Sequence, residues 1–100
     1  MGFYVFGVDV GRIGCTTEIC VFYCTPLAAA GGYRKSLVNL YTYEAEHFEK
    51  QSIFIKRLFY KFHPRCIAID ANGLGIGLVD FLTTQNYDDE NDEYFPPFGV

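Results

Sequence analysis

Apolar positions run almost unbroken through Phe3-Tyr4-Val5-Phe6-Gly7-Val8 and give way at Asp9. A strand that is apolar on both faces belongs in the middle of a sheet, so Phe3 to Val10 is expected as a central first strand. Gly11-Arg12-Ile13-Gly14 reads as a turn. Thr17 to Cys24, with Ile19, Val21 and Phe22, is rich in β-favouring residues and predicts a second strand that Thr25-Pro26 ends. A small-residue loop containing Gly31-Gly32 follows, and then Lys35 to Tyr43, where Leu37, Val38, Leu40 and Tyr41 give a third strand of mixed facing.

The period changes after that. Phe48, Ile55, Phe59 and Phe62 are spaced to share one face of a helix, expected over Glu46 to Phe62. Lys50, Lys56, Arg57 and Lys61 fall mostly elsewhere around it. His63-Pro64 stops the helix, because the residue before a proline disfavours the α region. Cys66 to Asp70 is a short apolar strand. Gly73-Leu74-Gly75 turns into a second helix, Ile76 to Thr84, carrying Leu78, Val79, Phe81 and Leu82. The stretch from Asn86 onward is acidic and then Phe95-Pro96-Pro97-Phe98; it shows no clear element, although Phe95 and Phe98 are apolar enough to dock.

The element order is therefore β-β-β-α-β-α. Short early connections predict an antiparallel meander, and the long helix predicts a right-handed crossover to a strand parallel to the first. If those two strands are neighbours, Asp9 and Asp70 end side by side at the carboxyl edge, where open α/β sheets place ligands.

Composition narrows the class. A chain of 100 residues, half of them apolar, supports one small globular domain. No apolar run is long enough to span a bilayer. Met1-Gly2-Phe3-Tyr4 lacks the basic start of a signal peptide, so a cytoplasmic protein is expected. Cys15, Cys20, Cys24 and Cys66 include no C-x-x-C pair, and His47 and His63 do not sit at finger spacing, so the cysteines read as small buried apolar thiols. The net charge of −4 is unevenly placed. Asp88, Asp89, Glu90, Asp92 and Glu93 carry five of the twelve acids, leaving seven acids against eight bases before them, a net of +1. That body can meet a phosphate backbone through residues such as Arg12, while the acidic run reads as a solvated loop.

The chemistry rests on the two strand-end aspartates. A carboxylate that closes an apolar strand is costly to desolvate without a partner. Two of them at one sheet edge suggest a site for Mg²⁺ or Mn²⁺, which favour hard oxygen ligands. Taken singly, a strand-end aspartate is more commonly a turn or capping residue; the pairing of the two is what points to a site. Glu18, Glu44 and Asp80 are weaker candidates, expected at the surface.

Gly7-Val8-Asp9-Val10-Gly11-Arg12 resembles the opening strand of ribonuclease H-like proteins. Ile67-Ala68-Ile69-Asp70-Ala71-Asn72-Gly73-Leu74-Gly75, running on to Leu82, resembles the strand, acid, turn and helix of the nuclease domain of viral large terminase subunits. The resemblance covers most of Phe3 to Thr84. It implies a ribonuclease H-like α/β domain over residues 1–87, followed by an acidic, Pro-rich tail over 88–100. It implies a DNA endonuclease that cleaves by two-metal chemistry, with ions about 3.5–4 Å apart. Asp9 would be the bridging catalytic ligand, Asp70 the second ligand and Arg12 a phosphate contact. The implied partners are double-stranded DNA and the other terminase and portal components, in the host cell during virion assembly. The family's third acid lies after a further strand, and its ATPase domain carries a G-x-x-x-x-G-K-[ST] loop. This sequence holds neither, so a fragment of low independent activity is expected. Two other readings stay open: a non-catalytic assembly module with the same fold, and an actin-like or sugar-kinase-like phosphotransferase, whose first strand also carries Asp-x-Gly.

Overall fold

The computed structural model describes residues 1–11, 15–28, 31–44, 47–69 and 74–99. They form β1 (Phe3–Asp9), β2 (Thr16–Pro26), β3 (Tyr33–Glu44), α1 (Phe48–Phe62), β4 (Cys66–Ile69), α2 (Leu74–Leu82), β5 (Asn86–Asp88) and β6 (Glu93–Phe95). The main sheet has the order β3-β2-β1-β4. β2 runs antiparallel to both β1 and β3, whereas β4 pairs in parallel with β1. This is the mixed α/β sheet that the order of the elements predicts, with β1 in its interior. No described helix is long and apolar enough to cross a membrane.

Side-chain alternation decides which face is the core. Phe6 stands between Val21 of β2 and Ile67 of β4, and Val8 between Ile19 and Ile69. Phe6, Val8, Ile19 and Val21 join Ile55 and Leu58 of α1 and Leu78 and Leu82 of α2 in one buried cluster. Both helices thus cover the same face of the sheet. Each large side chain fully removed from water there contributes about 1.5–3 kcal/mol. Phe62 closes one end of the cluster, its ring 5.3 Å from Tyr4, 6.0 Å from Phe6 and 6.4 Å from Tyr41. Gly77 lies inside α2, where glycine costs about 1 kcal/mol relative to alanine. Its reason is steric, for a Cβ there would fall on the Phe48 ring of α1.

α1 ends where expected. His63 takes the left-handed conformation at φ 51°, ψ 58°, and its N–H donates to the Phe59 carbonyl at 2.7 Å. Pro64 follows, and the Arg65 N–H then donates to the Tyr4 carbonyl at 2.8 Å, which starts β4 alongside β1. β2 and β3 are longer than their apolar patterns suggest, and α2 begins at Leu74, earlier than Ile76. The thiol reading holds for one residue: Cys24 is buried, Cys20 half-buried, and Cys15 and Cys66 are exposed.

The stretch after α2 departs most from expectation. It forms a hairpin, pairing Asn86 with Phe95, Tyr87 with Tyr94 and Asp88 with Glu93. Phe95 is buried and Phe98 packs on the core, as their apolarity suggested. The polar fastenings were not legible. Lys56, which the helical spacing sets away from the apolar stripe of Phe48, Ile55, Phe59 and Phe62, is fully buried, and its Nζ donates to the carbonyls of Thr84 at 2.7 Å and Pro96 at 3.0 Å. Burial lowers its pKa. Ser52 donates to Asn86 Oδ1 at 2.8 Å. Arg57 Nε donates to Asp88 Oδ2 at 2.7 Å, and its Nη2 bonds both Asp88 Oδ1 and Glu90. The first residue of the acidic run is therefore a buried carboxylate and not part of a solvated loop. It also accepts from Asn91 Nδ2 at 2.9 Å and from the Glu90 N–H at 3.2 Å. A buried charge is tolerated only with such a complete set of partners.

The bond from Arg57 holds the Asp88 carboxyl far below the usual carboxylate range. A depressed folded-state pKa gives stability that is present above the unfolded value, about 3.9, and lost as pH falls through the folded one. Asp88→Asn should cost about 1–3 kcal/mol at neutral pH. It should also flatten the fall in melting temperature of the wild type below about pH 5. Thermal melts across that range check both.

Candidate functional site

The parallel register brings β1 and β4 to the candidate edge in step, with Val8 beside Ile69. Asp9 is the next residue of β1 and is exposed at its end. Asp70 is the next residue of the chain after Ile69; it lies outside the described residues, as does Arg12. Val8 faces the helices, so alternation turns Asp9 to the other face.

Directly opposite Asp9 in the β1–β2 register stands Glu18. Like charges facing each other across two strands repel and destabilise the pair. Among the described residues no ion pair offsets either one; the ion pairs found there join Arg57 to Asp88 and Glu90. Two carboxylates in that setting fit a hard cation by donor type. No group of three or more His, Cys, Asp and Glu residues able to hold a metal occurs among the described residues. Glu18 was a minor candidate in the sequence, because its nearness to Asp9 depends on cross-strand register. Glu44 and Asp80 are exposed, Glu44 at the end of β3 opposite Thr16 and Asp80 on α2.

The chain just beyond Asp9 is held by a short polar relay. The Gly11 N–H donates to Thr17 Oγ1 at 3.0 Å, and the Thr17 hydroxyl donates to Gln51 Oε1 at 2.7 Å. Thr17 and Gln51 are both buried, so this relay ties the exit of β1 to β2 and to the first turn of α1. Gly11 suits its place because a Cβ would fall on the Thr16 carbonyl. At Gly7, by contrast, a Cβ would reach only ordinary contact with Phe22, at 3.6 Å. Neither Thr17 nor Gln51 stands out in the sequence, since each sits among other polar residues, Thr17 between Thr16 and Glu18 and Gln51 between Lys50 and Ser52.

The basic residues are distributed differently from the acids. Lys56 and Arg57 are engaged with the hairpin. Arg34 and Lys35 pair with Thr25 and Cys24 at the far end of β2 from Glu18, and the Arg65 guanidinium lies 3.8 Å from the Phe3 ring centre. The sheet is therefore basic at the end where β1 starts and acidic where it stops. An apolar groove of about 340 Å³ between Phe59, Pro64, Ile67, Val79 and Phe98 runs beside β4, on the helix-covered face that Asp9 turns away from.

Compared with protein-family models, curated proteins and solved structures, the chain matches none.

Thr17→Val should remove the acceptor of the Gly11 N–H and the donor to Gln51 Oε1 and lower stability by about 1–3 kcal/mol, since the hydroxyl it deletes is buried between them. Thr17→Ser, which keeps the hydroxyl, should cost less than half of that. Urea denaturation of the two variants distinguishes the hydroxyl from the methyl.

Proposed function

We propose that this chain is a metal-dependent DNA endonuclease domain of ribonuclease H-like architecture, similar in role to the nuclease domain of a packaging terminase. The observation that carries the reading is the parallel β1–β4 pairing, which ends level at Val8 and Ile69, one residue short of the two aspartates in the sequence. The exposed carboxylate of Asp9, with Glu18 opposite, supports it. So do the two sequence stretches around Asp9 and Asp70.

In this reading Asp9 and Asp70 hold Mg²⁺ or Mn²⁺, and Glu18 adds a third carboxylate. The bound ions supply an activated water and stabilise the leaving oxygen of the cleaved phosphodiester. The residues of the chain bind and orient. Asp9 presents its oxygens at the end of a strand that is paired on both sides, which limits their movement. The Gly11–Thr17–Gln51 relay fixes the chain leading to Arg12, the proposed phosphate contact. The basic end of the sheet offers a second, distant phosphate contact, so the strand bearing the scissile bond would lie along the sheet and not across it.

Millimolar Mn²⁺ should raise the melting temperature of the wild type by relieving carboxylate repulsion, through mass-action linkage. Asp9→Asn should melt at the same temperature or slightly higher without metal, and should lose the metal-dependent gain. Plasmid nicking in Mn²⁺ should disappear with the same substitution. Equal metal responses in the two proteins would remove Asp9 from the site.

A further inference from the structure

β3 is an edge strand of twelve residues, and its burial pattern leaves Tyr33 to Leu40 exposed without a break. Tyr33, Leu37, Val38 and Leu40 are each about half or more exposed, a concentration of large apolar side chains on one edge. Long apolar edges invite pairing, and proteins usually blunt them with prolines, short length, bulges or charges along the strand; β3 carries a single irregularity, at Val38. β3 has no proline, and its charges sit at the ends: Arg34 and Lys35 at the start, Glu44 at the finish.

We propose that β3 is a self-association surface, on which two copies of this chain pair antiparallel to make one continuous sheet. The partner is a second copy because the strand is complementary to itself. Reversing it sets the basic end of one copy against the acidic end of the other. The irregularity in β3 decides the register. Val21 pairs with Asn39 and Phe22 with Leu37, so Val38 is the extra residue and facing flips across it. Tyr33, Lys35 and Leu37 before it therefore share a face with Leu40, Thr42 and Glu44 after it. A two-fold axis between Val38 and Asn39 then matches like faces throughout. Leu37 meets Leu40 of the second copy, and Lys35 meets Thr42 with Glu44 one step along. Each contact occurs twice. The leucines gather into a cluster of four at the centre, and the ion pairs lie at its margins. The end of β1, on the other side of β2, stays open in this dimer, while Lys35 of the basic end is engaged in it. A single-strand edge is smaller than the ~800 Å² per partner of a standard stable interface, so the dimer should form in the micromolar range.

Sedimentation equilibrium of the full chain tests the proposal. The wild type should pass from monomer to dimer across that range. Lys35→Glu and Glu44→Lys should each weaken the dimer about threefold to tenfold, as expected for two exposed ion pairs turned repulsive. The double exchange, Lys35→Glu with Glu44→Lys, should restore it. Leu37→Lys with Leu40→Lys should leave a monomer, and unchanged far-UV circular dichroism would show that it is folded. Independently of any variant, wild-type β3 amides should gain hydrogen-exchange protection as concentration rises. A wild type that stays monomeric into the millimolar range would overturn the proposal, and so would a dimer that the leucine variant leaves intact or a charge exchange that restores nothing.

Discussion

Four parallel pairings, from Val5 with Cys66 to Val8 with Ile69, join β1 to β4, and they can form only because α1 carries the chain back over the sheet. That crossover settles the rest. It places Phe6 and Val8, on the helix-covered face, between apolar neighbours on both sides. It lays α1 and then α2 on one face, where Ile55, Leu58, Leu78 and Leu82 meet the sheet. It also brings the two strands to a common edge. The candidate site is a consequence of this topology and not of any loop.

A second constraint comes from α1. The helix packs against the sheet with its apolar side, yet Ser52, Lys56 and Arg57 lie toward the hairpin and need acceptors there. The hairpin supplies an amide oxygen and the Asp88 carboxylate, and the residues flanking it, Thr84 and Pro96, supply two carbonyls. Two strands of three residues each are too short to be stable alone, so the hairpin depends on α1 as much as α1 depends on it. The same pairing removes two of the eight cations from any role in phosphate binding.

The elements legible in the sequence were those whose patterns are local. The run of β-favouring residues in β2, the helical spacing of Phe48, Ile55, Phe59 and Phe62, and the stop at His63-Pro64 each follow from neighbours within a few residues. So did the parallel return of β4, because a helix of that length leaves few alternatives. What escaped reading depends on register or on distant partners. Glu18 faces Asp9 only because β1 and β2 pair as they do. The relay from Gly11 through Thr17 to Gln51 spans three elements. Lys56 is at home in the core because carbonyls at Thr84 and Pro96 reach it, and nothing in its own surroundings along the chain announces that. The acidic run looked solvated because its one buried member, Asp88, differs from its neighbours only in meeting Arg57.

The central claim is that the edge where β1 ends is a divalent-cation site. Paramagnetic broadening tests it most directly, by adding substoichiometric Mn²⁺ to the isotope-labelled protein and recording which backbone amides lose intensity. The account predicts losses centred on Val8 to Val10, on Thr17 and Glu18, and on Ile69, with the hairpin amides spared. Broadening centred instead on Asp89 to Glu93, or none above that of free solvent-exposed amides, would contradict it.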